Sequence, residues 1–442
     1  MKTDSFTTQP VKKLFFHYLM PSICGTMVTS IYVLADTIII GKGIGIDAMA
    51  ALNIVLPLFN IFFGTGLLFG VGGSVLMSIA RGRGEIETGR RYFSMAVLLN
   101  IVTCLIYMLL FLLFMEDIAR FLGATDVTMP YVMDYAPFIL WGLGFFSFSS
   151  FLQTFVRNDG APKLSMISVA TGGILNIILD IVFVFPFHMG MAGAALASVI
   201  GSVTTCLILL LHFFSKKNGL KFTWKGLLPS YAISIFKNGF TSFLLGVLAG
   251  FVMFIFNLQI LKYVGDIGVS MYGVITNTSI VVTCLCNGIN QASQPIISIN
   301  YGAGLHDRIH TVKRLGLQTA IVICAIPAIL GLAVPDMFTY IFLNPTSEIL
   351  ALSATAVRTY FIGFAIMGVN MFVIGFFQST VKPHLSLILC LLRGCILSVL
   401  FVYILPVFFD IIGIWASVPL AEFITLGVAI FFLRKTTRRK SI

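Results

Sequence analysis

The sequence predicts an all-α polytopic membrane protein with twelve transmembrane helices in two six-helix lobes. Three observations predict this class: the composition, the number of long apolar segments and an internal repeat. The chain has 442 residues, of which 58% are hydrophobic and only 10% are charged, against about 25% charged in an ordinary soluble domain. So few charges cannot cover the surface of a soluble protein of this size, and lipid must therefore surround much of the chain.

The apolar segments are long enough to cross a bilayer, which takes about 20 mostly apolar residues per helix. The first segment is too long for the apolar region of a signal peptide and lacks an A-x-A cleavage site, so we interpret it as a span. Turn residues separate the segments. The twelve predicted spans are residues 14–40, 49–80, 92–115, 130–156, 162–187, 191–214, 231–262, 267–300, 311–334, 349–380, 384–409 and 413–433.

The second half of the chain repeats the first. "FLQTFVRNDGAPK" at the end of the fourth span resembles "FFQSTVKPH" at the end of the tenth, and "MGMAGAALAS" resembles "IGIWASVPLA". The offsets all lie near about 220–225 residues. Because each copy has an even number of spans, the copies share one orientation and a pseudo-two-fold axis along the membrane normal. The predicted parts are an N-terminal lobe (1–214), a cytoplasmic linker (215–230), a C-terminal lobe (231–433) and a basic cytoplasmic tail (434–442).

The basic residues predict the orientation in the membrane. With the N-terminus inside, Lys and Arg concentrate in the cytoplasmic loops and the tail "RKTTRRK", while the opposite side has only Lys42, Arg120, Lys262 and Arg358. We therefore expect a multi-pass protein of the plasma (inner) membrane with both termini in the cytoplasm. The same pattern explains the net charge of +11 without a nucleic-acid partner.

Two carboxylates lie inside spans of the first lobe, where a charge costs about 2.5–3.5 kcal/mol. Asp36 and Asp180 are each on the order of 6–9 Å from the outer end of their helix, and Asn176 shares a helix face with Asp180. Such a group can carry a proton or bind a sodium ion through Asp36, Asn176 and Asp180. The alternative is that each aspartate only fixes helix packing.

The repeat argues against packing alone. In the second copy Asn257 aligns with Asp36 and Val402 aligns with Asp180. A bundle that needed carboxylates to pack should need them in both copies. We therefore expect the two aspartates to serve a function confined to the first lobe.

Two further ionisable residues, Arg393 and Glu422, lie near mid-depth in the last two spans. They are either a structural ion pair or part of a substrate site. Both interpretations fit the rule that charges within a bundle pair with one another or mark a transport pathway.

Motifs of enzymes are missing from the sequence. It contains no G-x-x-x-x-G-K-[ST], H-E-x-x-H or G-x-S-x-G, so we expect neither an enzyme nor a pump driven by ATP. The eight cysteines lie in apolar segments without metal-ligand spacing. No cofactor is expected apart from a proton or sodium as coupling ion.

The chain resembles the multidrug and toxic compound extrusion (MATE) family over essentially its whole length. The segments that carry the resemblance are "MPSICGTMVTSIYVLADTIIIG", "VLPLFNIFFGTGLLFGVGGSVLMSIARGRGE", "RNDGAPK" and "NIILDIVFVFPFHMGMAGAALAS". The resemblance implies two six-helix lobes, alternating access and export of organic cations in exchange for protons or sodium. It favours the branch whose coupling carboxylates lie in the N-terminal lobe.

The resemblance also implies roles for single residues. Asp36, Asn176 and Asp180 match the family's coupling residues in the first and fifth helices. Ser198 stands where the family often has a threonine in the sixth helix. Pro21 matches a first-helix proline that kinks in some members.

The sequence thus predicts a secondary multidrug efflux transporter, which we expect to be a monomer in the bilayer. The many phenylalanines of the spans favour bulky apolar cations as substrates. Two alternatives are a flippase for lipid-linked saccharides, which would need more basic residues to meet phosphate, and a passive channel, which would have little use for carboxylates in one lobe.

Overall fold

The computed structural model describes residues 3–342 and 347–438, and these residues form helices without any β-strand. The helices are α1 (Thr3–Thr8), α2 (Val11–Gly43), α3 (Ile46–Gly82), α4 (Ile86–Phe121), α5 (Met129–Asn158), α6 (Pro162–Val184), α7 (Gly190–Leu210), α8 (Pro229–Val264), α9 (Asp266–Gly302), α10 (His306–Ala333), α11 (Pro335–Phe342), α12 (Ser347–Phe361), α13 (Phe364–Ser379), α14 (Pro383–Leu391) and α15 (Leu397–Arg438).

Eleven stretches of the described helices are long and apolar enough to cross a membrane. The last, Pro383–Thr436, has 54 residues and contains both the eleventh and the twelfth predicted spans. The backbone breaks between those two spans at Asp410, where φ is 49° and ψ is −139°. The predicted class of an all-α polytopic membrane protein is therefore confirmed.

The chain divides into two compact units that do not follow the repeat boundary. Unit 1 comprises Met1–Val247 and Pro295–His306, and unit 2 comprises Leu248–Gln294 and Asp307–Ile442. Unit 1 thus contains the first part of α8 and the last part of α9. The division into lobes at residues 214 and 231 stays a prediction from the repeat. Of the predicted tail, residues 434–438 continue α15 and residues 439–442 lie outside the described residues.

Each unit has its own apolar core. In unit 1, α5 is the central helix and packs against α3, α4, α6 and α7. In its most apolar stretch 72% of the residues are buried, more than in any other described span. The core of unit 2 surrounds Trp415 and includes Phe256, Phe361 and Phe364. These packed helices hold the polar side chains described below.

Candidate cation site in unit 1

Three helices of unit 1 bring the predicted coupling residues together. Asp36 lies on α2, Asn176 and Asp180 lie on α6, and Ser198 lies on α7. The Nδ2 atom of Asn176 donates a hydrogen bond to Asp180 Oδ2 at 3.1 Å and another to Ser198 Oγ at 3.4 Å. Asp36 lies within side-chain hydrogen-bonding reach of the other three. Residues more than 160 positions apart in the sequence therefore form one polar group.

Glycines determine how closely these helices approach. A Cβ atom on Gly173 of α6 would lie 3.0 Å from the ring of Tyr32 on α2, and one on Gly201 of α7 would lie 2.8 Å from the carbonyl oxygen of Gly172. Small residues let membrane helices pack backbone against backbone. This packing carries Asp36 and Ser198 to the Asn176–Asp180 face of α6.

Several oxygen atoms at this site are buried without a hydrogen-bond partner. They are Oδ1 of Asp36, Oδ1 of Asn176, Oδ1 of Asp180 and the hydroxyl oxygen of Tyr135. A buried polar atom without a partner costs about 1–3 kcal/mol, and native proteins rarely leave several together unless water or an ion satisfies them. The donor set therefore fits a proton or a hard cation such as sodium, which prefers carboxylate and amide oxygens.

Tyr135 was not predicted from the sequence as a site residue. It lies on α5, is fully buried, and interacts electrostatically with both Asp36 and Asp180. A tyrosine in an apolar helix buries its ring readily and requires a partner for its hydroxyl. That requirement is the signal that could have identified it, but the packing of α5 against α6 cannot be read from the sequence.

Two other expectations concern this unit. Helix α2 runs unbroken from Val11 to Gly43 through Pro21, which is buried, and the kink at this proline stays a prediction. Among residues 3–342 and 347–438, no group of three or more His, Cys, Asp or Glu side chains is placed to hold a metal ion. A sodium site at Asp36, Asn176 and Asp180 would thus depend on two carboxylates supplemented by amide and hydroxyl oxygens.

The second polar group lies in unit 2. Arg393 Nε donates to Glu422 Oε1 at 2.5 Å, and Asn370 Nδ2 donates to Glu422 Oε2 at 2.7 Å and to the Glu422 carbonyl oxygen at 2.8 Å. Glu422 is 2% exposed. Asn370, on α13, was not singled out in the sequence because a lone asparagine in an apolar span has no partner visible there.

Comparisons with known proteins identify the family of the chain. The sequence model of the MatE family matches residues 21–182 and 242–404, which is most of the chain. The chain belongs to the MatE family. The two matched segments of this MatE chain begin about 220 residues apart, as expected for two copies of one unit. The resemblance inferred from the motifs is thereby confirmed.

Similar curated proteins cover nearly the whole MatE chain. The multidrug export protein MepA of Staphylococcus saprophyticus is 26% identical over 424 residues, which are 94% of this chain and 92% of that protein. MepA of Staphylococcus aureus strain COL is 27% identical over 428 residues, with the same coverage of both chains.

Solved structures share the fold. One is described as an outward-facing conformation of a multidrug resistance MATE family transporter of the MOP superfamily; it has a TM-score of 0.91 at 22% identity and covers 100% of this chain and 99% of its own. Another, a MOP superfamily transporter from Pyrococcus furiosus described as having a binding pocket of reverse polarity, has a TM-score of 0.90 at 22% identity, covering 99% and 98%. At this identity the likeness establishes the fold.

Proposed function

We propose that this MatE chain is a multidrug efflux transporter that exports organic cations by antiport with protons or sodium ions. Export of several drugs is supported by the similarity to proteins named multidrug export proteins over 94% of the chain. The antiport part rests on one observation, the buried oxygen atoms without partners at Asp36, Asn176, Asp180 and Tyr135.

The chemistry of exchange follows from charge. Two ionised carboxylates in a poorly hydrated interior repel each other. A bound cation or proton removes this repulsion, so the pair binds such an ion strongly. An organic cation is attracted by the ionised carboxylates, whereas an arriving proton or sodium ion neutralises that attraction. Release of the drug and entry of the coupling ion are then competing events, which is the requirement for antiport.

An aromatic cluster that includes Tyr135 favours bulky, delocalised cations as substrates. The ring of Phe59 lies 6.1 Å from that of Tyr135 and 5.0 Å from that of Phe146, measured between centroids. A cation over a ring face gains about 0.5–2 kcal/mol. We therefore expect substrates such as ethidium rather than small hydrophilic cations.

The first prediction concerns the coupling carboxylates. We expect Asp36→Asn and Asp180→Asn each to abolish gradient-driven ethidium transport, because each removes a charge that the proposed exchange needs. The measurement is ethidium transport in proteoliposomes with a pH gradient and a sodium gradient imposed separately. Asp134→Asn is the matched control, since Asp134 is an exposed aspartate on α5.

Three results would contradict the proposal. Wild-type rates in both aspartate variants would exclude the coupling role. Transport that neither gradient drives would exclude antiport with these ions. Ethidium that equilibrates without any gradient would indicate a passive channel.

The proposal includes the placement of the chain. We propose that it is a monomer in the plasma membrane with both termini in the cytoplasm, as the distribution of Lys and Arg favours. The orientation is tested in a variant whose eight native cysteines are replaced, with one cysteine placed either at residue 42 or after residue 225. An impermeant maleimide applied to intact cells should label only the first.

A further inference from the structure

Arg393 is held on one side only. In the described part of the chain its only side-chain hydrogen bond runs from Nε to Glu422, whose other carboxylate oxygen accepts from Asn370. Arginine often presents two nitrogens to a carboxylate partner. Here Asn370 occupies the position that a second guanidinium nitrogen would otherwise take.

The two terminal nitrogens of Arg393 remain accessible. Nη1 and Nη2 make no hydrogen bond to the described residues, yet neither atom is fully buried. The Arg393 side chain as a whole is 14% exposed. A group the size of water can therefore reach the fork of the guanidinium. Arginine keeps its charge at any physiological pH, so the fork presents donors and no acceptor.

The local backbone and the depth of Arg393 favour a ligand over lipid. The residue lies in a π-helical turn, Leu392–Ile396, and its carbonyl oxygen accepts from Ser398 Oγ at 2.8 Å. π-helical turns are rare in proteins, and many of those that occur lie at functional sites. Arg393 is ten residues after Pro383, on the order of 15 Å into the membrane, where a charge must face the bundle interior or a water-filled space.

The amide oxygen of Asn370 is a second unusual atom in this group. Asn370 is fully buried, and its Oδ1 has no hydrogen-bond partner. Nδ2 donates both of its hydrogen bonds to Glu422, whereas Oδ1 is buried out of reach of a ligand. The part of this group that a ligand can contact is therefore the guanidinium fork of Arg393.

We propose that Arg393, held at Nε by Glu422, binds a carboxylate of the transported molecule through Nη1 and Nη2. The ligand is a molecule that combines a delocalised cation with a carboxylate. This inference rests on the proposed export of organic cations and adds a specificity-determining residue in unit 2. The fork of arginine matches the two oxygens of a carboxylate, a geometry that lysine cannot reproduce.

The test compares two dyes that differ only at the carboxylate: tetramethylrhodamine with a free carboxylate and its methyl ester. Their Kd values for purified protein are measured by fluorescence polarisation at neutral pH. We expect the Kd of the acid dye, divided by the Kd of the ester dye, to rise about tenfold in Arg393→Lys. The reason is that lysine loses about one charge-assisted hydrogen bond to the carboxylate of the acid dye. Arg358→Lys is the control, because Arg358 is exposed on α12.

A second variant controls for misfolding of Arg393→Lys. Arg393→Gln combined with Glu422→Gln removes both charges together, and the same rise in the ratio is expected. A ratio equal to that of wild type in both variants would overturn the assignment of Arg393. If inorganic phosphate displaces the acid dye as well as unlabelled acid dye does, the ligand is a free anion and the assignment also fails.

The two proposals fail in different ways. Wild-type protein that binds neither dye contradicts the proposed function itself. Ester binding by wild type together with an unaltered ratio in the variants contradicts only the role of Arg393.

Discussion

Asp180 and Glu422 are both fully or almost fully buried carboxylates, yet their neighbours differ. Glu422 has a cationic partner in Arg393 and an amide donor in Asn370. Among the described residues, Asp180 has only the amide of Asn176 as a donor, with a second carboxylate beside it. A buried charge without a counter-charge is costly. This difference supports the proposal that a proton or cation from outside neutralises the Asp36–Asp180 group, whereas Arg393 already supplies the counter-charge of Glu422.

The prediction at the residue scale concerns this ion pair. Arg393→Gln should destabilise the protein by about 3–5 kcal/mol, because it leaves the buried carboxylate of Glu422 without its counter-charge. Glu422→Gln should also destabilise the protein, but by less, because the guanidinium of Arg393 is partly accessible. The double variant should recover most of that loss. The measurement is thermal unfolding in detergent for the complete double-mutant cycle. Additive losses in the double variant would show that the two side chains act independently.

At the scale of elements, the contact between α6 and α7 places the amide of Asn176 near Ser198. A Cβ atom on Gly201 would lie 2.8 Å from the carbonyl oxygen of Gly172 and 3.0 Å from the Cβ atom of Asn176. Thr205 Oγ1, one turn further along α7, donates to Ser168 of α6 at 3.3 Å. The geometry of the site thus depends on backbone contacts that contribute no functional group.

Gly201→Ala should therefore damage the site without changing any of its side chains. The added methyl group cannot fit against the backbone of Gly172, so α7 must move away from α6 at a cost of about 1–3 kcal/mol. We expect a lower melting temperature and a weaker dependence of ethidium transport on the coupling ion. Gly144→Ala on α5 is the control, since a Cβ atom there would have no neighbour within 4 Å. Equal behaviour of the two variants would refute this account.

At the scale of the whole molecule, one aspartate fastens the segment after α7 to unit 1. Asp159, directly after α5, accepts hydrogen bonds from His212 at 2.6 Å and from the backbone N–H of Gly219 at 2.8 Å, and it forms an ion pair with Arg81 of α3. Further along, the N–H of Thr223 donates to Ser94 Oγ at 2.8 Å. The motif "RNDGAPK" that helped to identify the family thus joins three separate parts of the chain.

The charge of Asp159 should make stability depend on pH. Burial raises its pKa, but the hydrogen bond from His212, the charge of Arg81 and the N–H of Gly219 outweigh burial and hold the pKa below its usual range. A carboxylate with a lowered folded pKa stabilises the fold above its unfolded pKa of about 3.9 and loses this effect as pH falls through the folded value.

Asp159→Asn should therefore lower the melting temperature at pH 7. The difference in melting temperature between this variant and wild type should shrink as the pH falls below about 4. The measurement is thermal unfolding in detergent across that pH range. Asp126→Asn is the control, because Asp126 is almost fully exposed although it pairs with Arg120. A difference that is constant with pH would exclude the ionised carboxylate as its cause.

The sequence by itself determined the class of the protein, the spans, the repeat and the residues Asp36, Asn176, Asp180, Arg393 and Glu422. Composition and the length of apolar segments are properties of the sequence and do not depend on the fold. A charge within an apolar segment is likewise visible in the sequence before its position in the fold is known. The motifs likewise identified the family, because their order and spacing are properties of the chain alone.

Only the tertiary structure decided which of these side chains meet. Tyr135 and Asn370 escaped notice because an uncharged polar residue in a helix becomes a site residue only when another helix brings a partner to it. Asp159 follows α5 in the motif "RNDGAPK", and only the fold brings Arg81 and His212 to its carboxylate. The orientation of a helix about its own axis is set by packing against its neighbours, such as Gly201 against Gly172, and this packing involves contacts distant in sequence.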